Sequence, residues 1–396
     1  MKRSSKRVVL AYSGGLDTSV CVRWLADRGH DVIAFMADVG QGESLRRLVS
    51  RAKTAGASQV LITDLRREFA SDYVLPALQA HAIYEGKYLL ATALSRPLIA
   101  KHLVDVAHHS RASTIAHGCT GKGNDQVRFE VTIRALDPAL RILAPVREWE
   151  FRSREEEAAY AARHGISIDV AVKSPYSIDQ NLWGVSIEAG ALEDPWRQPS
   201  ADSFRWLTVP ARAPARPATV TVSFRQGVPV AINGRRLSLV RLIGQLNRLG
   251  AAHGIGRSDL IESRLVGIKS REVYEAPAAT ILFEAHAELE RLVLDREVLH
   301  FKQLVALKYA ELIYYGLWFT PLKIALDEFV RQTQRQVTGD VRLQLYKGTC
   351  QVIGRRSPFA LYQKALATYA AEDRFDRTAA HGFIKLWGLP YEGAGK

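Results

Sequence analysis

Short apolar runs and helical apolar spacing alternate along the first part of the chain. Apolar runs typical of buried strands stand at residues 8–11, 32–37, 60–62 and 114–116. The spacing between them predicts helices at residues 16–29, 44–55 and 84–107. This alternation indicates right-handed crossovers, and therefore a parallel sheet with helices on both faces.

From residue 166 onwards the pattern mixes strands, loops and helices. Residues 166–172 alternate between apolar and polar, whereas residues 176–186 and 254–277 are typical of polar loops, and a proline-rich passage at 199–217 is typical of extended chain. Hairpins are predicted at residues 219–232, turning at Gln226-Gly227, and at residues 341–353. Helices are predicted at residues 239–250, closed by Gly250, and at 281–318, 322–336 and 357–371.

These patterns predict an α/β chain in three parts. Residues 1–165 form the parallel-sheet domain, residues 166–356 an α+β domain, and residues 357–396 a C-terminal helix and arm. The arm carries the aromatic residues Tyr369, Phe375, Phe383 and Trp387 without the features of a compact core. A neighbouring subunit is a natural place to bury such rings, so the arm is predicted to serve in oligomerisation.

The turn after the first strand holds the most informative candidate chemistry. Two glycines in the segment Ala11-Tyr-Ser-Gly-Gly-Leu-Asp-Thr-Ser19 allow close backbone approach, and hydroxyls with free helix N–H groups offer donors to an anion. A phosphate is the natural ligand. Two alternatives are a plain capped strand–helix turn and a relaxed serine-hydrolase nucleophile elbow. The elbow is disfavoured because it follows the first strand and no His-Gly-Gly-Gly segment occurs.

A second polar segment, residues 117–130, follows the strand at 114–116. It fails the Walker A pattern, which needs Gly at Ala116 and Ser or Thr at Gly123. Arg128 has the planar fork suited to a substrate carboxylate, and Asp125 is suited to a substrate ammonium group. A solvated helix start capped by Asn and Asp is the alternative. Residues 37–41 are either a nucleotide contact or a simple turn.

Composition narrows the function further. The chain has 396 residues and a net charge of +13, but its charges are spread without basic clusters interleaved with aromatics, which disfavours nucleic acid and fits an anionic small substrate. Three scattered cysteines favour neither disulfides nor zinc and fit a reducing cytoplasm. No signal peptide and no membrane-spanning run is predicted.

In their order and spacing, the motifs resemble those of the argininosuccinate synthases. The resemblance runs nearly end to end and rests on Ala11-Tyr-Ser-Gly-Gly-Leu-Asp-Thr-Ser19, Ala37-Asp-Val-Gly-Gln41, His117-Gly-Cys-Thr-Gly-Lys-Gly-Asn-Asp-Gln-Val-Arg-Phe-Glu130, Asn181-Leu-Trp-Gly184, Glu193-Asp-Pro195 and Lys269-Ser-Arg271 with Val273-Tyr-Glu275. It implies an adenine nucleotide alpha hydrolase-like domain and the ligation of citrulline to aspartate with ATP and Mg²⁺. It also implies a homotetramer whose C-terminal arms embrace neighbouring subunits.

The resemblance also implies binding residues by position. ATP would be bound by Ala11, Tyr12, Ser13, Gly14, Gly15, Leu16, Asp17, Thr18, Ser19, Ala37 and Gly118, with Asp17 also helping to hold magnesium. Aspartate would be bound by Thr120, Asn124 and Asp125. Citrulline would be bound by Tyr88, Ala93, Asn124, Arg128, Ser177, Ser186, Glu262 and Tyr274. No residue is assigned a covalent catalytic role.

Five positions depart from the family pattern. Ala93 stands where some members have Ser, Val185 where Arg is frequent, and Glu272 where Gly is usual. Ala276 and Ala278 stand where Thr and Gly are common. Loss of glycine's freedom at Glu272 is expected to alter the citrulline pocket. A variant in which the same fold joins aspartate to another ureido or carboxyl substrate therefore stays open. A basic nucleic-acid-binding α/β protein is the non-enzymatic alternative, and it rests on net charge alone.

Overall fold

A computed structural model of the chain describes residues 6–42, 45–166 and 175–393. The first part contains one parallel sheet whose strands are adjacent in the order β3-β2-β1-β4-β5. Its strands are β1 (Lys6–Ala11), β2 (His30–Asp38), β3 (Gln59–Asp64), β4 (Thr114–His117) and β5 (Arg141–Leu143). The predicted parallel sheet is confirmed, and its order reverses at β1, so that loops after β1 and β4 lie side by side at the carboxyl edge.

Helices cover both faces of this sheet. They are α1 (Leu16–Asp27), α2 (Leu45–Thr54), α3 (Arg66–Glu68), α4 (Leu75–Ala80), α5 (Ala91–Ser110), α6 (Asp125–Leu136), α7 (Pro145–Glu148) and α8 (Arg154–Arg163), with a π-helical turn at Phe69–Val74. Along β1, Val8 and Leu10 pack with α1 and α2, whereas Val9 packs in the other core with α5. Alternate residues of a buried strand therefore serve two cores, as its continuous apolar run indicates.

The helix predicted from residue 84 begins only at Ala91. Tyr84 and Tyr88 instead pair as a short bridge, with the Tyr84 N–H donating to the Tyr88 carbonyl at 2.9 Å. Leu90 follows in the left-handed region, with φ of 63°. This conformation interrupts the helical hydrogen-bond ladder, so apolar spacing alone placed the boundary two turns too early.

Two antiparallel sheets make up the remainder, with strand orders β10-β9-β8-β13-β14 and β11-β12-β7-β6. Their strands are β6 (Ser177–Gln180), β7 (Val185–Glu188), β8 (Ala218–Arg225), β9 (Val228–Ile232), β10 (Arg235–Arg236), β11 (Arg257–Ser263), β12 (Lys269–Glu275), β13 (Gly339–Tyr346) and β14 (Thr349–Arg356). Both predicted hairpins are confirmed. The loops predicted at 176–186 and 254–277 are wrong, because both regions form hairpins of the second sheet. The strand-like alternation at 167–172 lies outside the described residues.

Helices α9 (Leu239–Ala252), α10 (Pro277–Val293), α11 (Arg296–Tyr314) and α12 (Pro321–Thr333) pack with these sheets, and α13 (Lys364–Ala367) and α14 (Arg377–Gly388) follow. Gly250 lies within α9 rather than closing it, where a Cβ would stand 2.8 Å from Pro277 Cβ, so its role is close helix packing. The helix predicted at 357–371 is reduced to α13. None of the described helices is long and apolar enough to cross a membrane.

Candidate active site

The turn between β1 and α1 forms a compact set of donors at the carboxyl edge of the parallel sheet. The Ser13 and Thr18 hydroxyls lie 3.1 Å apart, and the Tyr12 hydroxyl lies 3.1 Å from Ser19 Oγ. Gly14 has φ of +84°, and a Cβ there would stand 2.4 Å from Leu48 Cδ2. The sequence therefore needs glycine at this position, and the first N–H groups of α1 remain directed at the loop. The geometry suits a phosphate group.

The loop after β4 lies directly against this turn. A Cβ on Gly118 would stand 3.0 Å from Thr18 Cγ2, so the two segments meet at the predicted position. Ala37 lies near the end of neighbouring β2, where its carbonyl accepts from Gln41 Nε2 at 2.8 Å. Asp38 Oδ1 accepts from the Gly40 N–H at 2.9 Å. Residues 37–41 thus form a turn stabilised by its own side chains, and their contact with a nucleotide stays a prediction.

Asp17, predicted to help hold magnesium, lies next to Glu157 of α8. Glu157 is buried, and its Oε2 has no hydrogen-bond partner in the described part of the chain. Burial, together with the charge of Asp17, raises the pKa of Glu157 to about 7. Over the described ranges, no group of three or more His, Cys, Asp or Glu side chains is arranged to hold a metal ion. A cation here would need phosphate oxygens besides these carboxyl groups.

We expect Glu157→Gln to flatten the pH dependence of stability. Since the ordinary pKa is 4.5 and the native one about 7, the folded chain keeps a proton that the unfolded chain has lost between these pH values. The free energy of unfolding should therefore fall as pH rises through this window, by about 1–2 kcal/mol after solvent screening. Urea unfolding of both chains from pH 4.5 to 8 measures the difference. An unchanged slope in the variant would contradict this assignment.

Asp125, at the start of α6, lies between two arginines. Its Oδ2 accepts from Arg96 Nε at 2.9 Å and Nη2 at 2.7 Å, and its Oδ1 accepts from Arg128 Nη1 at 2.9 Å. Burial raises the pKa of this carboxyl, but the two guanidinium charges outweigh it and leave the pKa below its ordinary value. Sequence reasoning expected a carboxylate reserved for a substrate ammonium group. The structure shows one that also positions both arginines.

A buried tyrosine cluster surrounds Glu262 of β11. The Tyr274 hydroxyl donates to Glu262 Oε2, and the Tyr314 hydroxyl donates to Oε1 at 2.6 Å. Tyr88 stacks on Tyr274 with ring centroids 4.1 Å apart, and its hydroxyl accepts from the backbone N–H of Ala93 at 3.2 Å. The cluster thus joins predicted citrulline residues from two distant segments, residues 88–93 and the hairpin of β11 and β12. The only polar group that Ala93 contributes is backbone, as its side chain requires.

Asn124 connects this cluster to the loop after β4, the glycine-rich loop that contains Gly118, Gly121 and Gly123. Its Nδ2 donates to the Tyr314 hydroxyl at 2.8 Å, and its Oδ1 accepts from the Leu265 N–H at 2.9 Å. The neighbouring Arg264 donates to Glu272 Oε1 at 2.7 Å, to Glu188, and to the Lys122 carbonyl at 3.3 Å. The turn between β11 and β12 is therefore bonded to the loop before α6 at two points.

Glu272 departs from the family pattern, and its expected effect on the citrulline pocket stays a prediction. It lies within strand β12 and is buried against Arg264, so no glycine-like backbone conformation is required there. Burial, with Glu188 beside it, raises the pKa of Glu272 to about 9. The hydrogen bond from Arg264 opposes this rise in pKa and holds the Arg264 side chain against Glu272.

The other predicted residues lie at different depths around the cluster. Ser186 of β7 is buried, and its hydroxyl lies 2.8 Å from Thr92 Oγ1. Ser177, which begins β6, and Thr120, in the glycine-rich loop, are both exposed. Val185 is buried in a small core with Ile187 and Val273 and faces away from Ser186 along the strand. Their roles in binding stay predictions.

Sequence reasoning missed Tyr314 and Asp179. Tyr314 lies at the end of α11, where helical apolar spacing gives no sign of a polar site, and it contacts both Asn124 and Glu262. Asp179 forms an ion pair with Arg96. Arg96 did carry a signal, because it stands in a polar group with Thr92 and Ser95 that a core helix does not require.

Comparisons with known proteins find similarity to argininosuccinate synthases along almost the whole chain. A family model described as the arginosuccinate synthase N-terminal HUP domain matches residues 7–167, and the arginosuccinate synthase C-terminal domain matches residues 176–393. Argininosuccinate synthase of Bacillus licheniformis is 56% identical over 385 residues, covering 97% of this chain and 95% of that protein. That of Aquifex aeolicus is 54% identical over 393 residues, covering 99% and 98% respectively.

Proposed function

This chain belongs to the argininosuccinate synthase family, whose members join citrulline to aspartate with ATP. We propose that the loops after β1 and β4 bind ATP. We propose further that the cluster around Glu262 binds the amino acids. The observation that carries this assignment is the convergence of the phosphate-type turn, the Asp125 arginine pair and the Glu262 cluster at one edge of the parallel sheet. Each supplies the chemistry of one substrate.

The reaction explains why these groups suffice without a covalent nucleophile. A ureido carbon is a poor electrophile, and its oxygen is a poor leaving group. That oxygen attacks the α-phosphorus of ATP, the bond to the bridging oxygen breaks, pyrophosphate leaves and a citrullyl-adenylate forms. The aspartate amine then attacks the ureido carbon, and AMP leaves. The protein must orient three ligands and stabilise charge passing to pyrophosphate.

ATP is assigned to the predicted nucleotide residues. Its phosphates would accept from the Ser13 and Thr18 hydroxyls and the first N–H groups of α1, and its base would lie by Ala37. We assign Mg²⁺ to the phosphates and Asp17, with Glu157 beside it, on the ground that a buried Glu157 oxygen lacks a partner. When bound, this cation would neutralise charge on the departing pyrophosphate.

The amino acids are assigned to the two polar clusters. Arg128 would bind the citrulline carboxylate through its fork, with Glu262 opposing the citrulline ammonium group. Asn124, Asp125 and Thr120 would bind aspartate. Because Asp125 also holds Arg128, the two amino-acid positions are coupled through one side chain.

An isotope experiment tests the proposed chemistry. Citrulline carrying oxygen-18 on its ureido group should transfer the label to released AMP, measured by mass spectrometry. A parallel assay should show pyrophosphate with no ADP. Formation of ADP and orthophosphate would contradict the proposal, and failure of citrulline where another ureido compound reacts would support the variant-substrate alternative.

We also propose a homotetramer assembled through the C-terminal arm. Helix α14 buries none of its residues, and Phe383, Ile384 and Trp387 are each more than 60% exposed. Helix α11 likewise exposes Phe301, Leu304 and Leu307. Exposed apolar faces of this extent are typical of subunit contacts. The three cysteines are free thiols, which fits assignment to the cytoplasm.

We expect the double change Phe383→Ser with Trp387→Ser to reduce the molar mass of the assembly. Both rings lie on the exposed helix α14, so the substitutions remove apolar contact area without disturbing a core. Light scattering after size-exclusion chromatography measures the mass, and Lys385→Ser on the same helix is the control. A wild-type chain that is monomeric, or a double variant that remains tetrameric, would contradict the proposed interface.

A further inference from the structure

A cavity of about 680 Å³ lies between the turn after β2 and helix α9, outside the residues assigned to substrates. One wall is the turn from Asp38 to Gly42, and the opposite wall is α9. Its volume falls within the range of small-molecule sites. None of residues 11–19, nor Gly118, lines it.

Four arginines but only one acidic residue line this cavity among the described residues. Arg241 and Arg248 project from α9, Arg235 comes from β10, and Arg66 follows β3. The one acidic residue of the lining, Asp38, already pairs with Arg66 at 3.5 Å and accepts from the Gly40 N–H. Within the described ranges, Arg235, Arg241 and Arg248 form no ion pair. Three guanidinium groups that pair with no acid of the described residues therefore share one concavity.

The α9 wall is shaped as well as charged. Arg241, Gly244 and Arg248 follow helical spacing, which puts them on one face of α9. A Cβ added at Gly244 would meet no atom within 4 Å, so the cavity reaches the helix backbone between the two arginines. Leu182, Leu237 and Val240 add an apolar surface beside this cationic face.

We propose that this cavity is a second anion site that binds a nucleoside polyphosphate. Converging guanidinium forks are suited to phosphate oxygens, and their mutual repulsion is relieved by a polyanion. The apolar surface suits the nucleoside. A nucleotide bound here would contact the turn that begins at Ala37, so the second site shares a wall with the proposed ATP site.

The shared wall is rigidly tied on both sides. Gln41 is bonded to Ala37 and Val39 through its side chain, and its carbonyl accepts from the Gln180 side chain. Asn247 of α9 donates to the Leu182 carbonyl at 2.9 Å. The turn at residues 37–42 therefore lies between the cavity and the proposed ATP site, and occupation of one site is expected to change the affinity of the other reciprocally.

Binding stoichiometry of a non-hydrolysable ATP analogue tests the proposal by calorimetry on the full chain. The wild type should bind two per chain. Arg241→Met with Arg248→Met should weaken the second binding event at least about tenfold, since it removes two charge-assisted contacts. Gly244→Leu should do the same by filling the cavity while leaving every arginine. Arg236→Met is the matched control, because Arg236 is an exposed arginine next to Arg235 on β10 but does not line the cavity. This variant should bind two nucleotides per chain.

Competition identifies the part of the ligand that is bound. Inorganic tripolyphosphate should displace the second nucleotide, and adenosine alone should not. One nucleotide per chain that persists in the cavity variants would overturn the proposal, as would two per chain in all variants. One per chain that is lost in the cavity variants would support this site and contradict the assignment of ATP to the loop after β1. A change in molar mass in the arginine variants with unchanged stoichiometry would identify a contact between copies and overturn the proposal.

Discussion

Replacement of Asp125 by alanine is expected to lower kcat/KM for aspartate about 10²–10³-fold, because it leaves the buried Arg128 guanidinium without its carboxylate and removes one of the two carboxylates that pair with Arg96. Arg96 would keep Asp179, but among the described residues Arg128 would keep no carboxylate, only its hydrogen bond to the Tyr314 carbonyl at 2.9 Å and its position over the Tyr314 ring, 4.7 Å from the centroid. The KM for ATP should change about threefold or less, because the phosphate loop is bonded within itself. Initial rates with each substrate varied in turn separate these effects.

Asp137→Ala is the matched control for this change. Asp137 terminates the same helix, and its carboxylate pairs with the exposed His108, so its loss should leave all three KM values unaltered. Equal effects of Asp125→Ala on aspartate and on ATP would refute its assigned role. Because Asp125 also positions Arg128, we expect the KM for citrulline to rise alongside that for aspartate.

Glu262→Gln is expected to lower kcat/KM for citrulline about 100-fold, with a smaller change for ATP. The glutamate side chain is 2% exposed and accepts from two tyrosine hydroxyls. Glutamine removes the negative charge that would attract the citrulline ammonium group. In the wild type both tyrosine hydroxyls donate to Glu262, so the amide N–H₂ of glutamine would face a hydroxyl that is also a donor. Steady-state kinetics with citrulline varied at saturating aspartate and ATP measure the loss.

Two controls show whether the loss in Glu262→Gln comes from the substitution of Glu262 itself and not from unfolding. Glu284→Gln, on the exposed side of α10, carries the same substitution away from the cluster and should retain wild-type kinetics. The urea midpoint of Glu262→Gln shows whether the variant is folded. A folded variant with equal losses of kcat/KM for all three substrates would show that Glu262 supports the structure rather than citrulline.

The parallel sheet was predictable because its central strands β1, β2 and β4 are buried on both faces. Their continuous apolar runs distinguish them from the intervening amphipathic helices, and β1, β2, β3 and β4 all lie at the predicted positions. Polar strands were not predictable in the same way. β6, β11 and β12 carry many hydroxyl and charged side chains, so local sequence suggests loops. Only their pairing within the sheet β11-β12-β7-β6 makes them strands.

The candidate site divides along the same line. Residues in local motifs, such as Ser13, Thr18 and Asp125, can be recognised as candidate binding residues from their neighbours in the sequence. Tyr314 does not, because its partner Asn124 stands 190 positions earlier in the chain. Likewise, the pairing of Arg264 with Glu272 explains why a charged residue is tolerated in β12, but only the folded hairpin brings the two together.

The long separation between Asn124 and Tyr314 has a consequence for how the protein is made. The residues of the loops after β1 and β4 are synthesised early, whereas the amino-acid pocket waits for α11. One face of the parallel sheet also shares its core with residues of the C-terminal half. A chain that ends before α11 would therefore lack both Tyr314 and part of the core that supports the site.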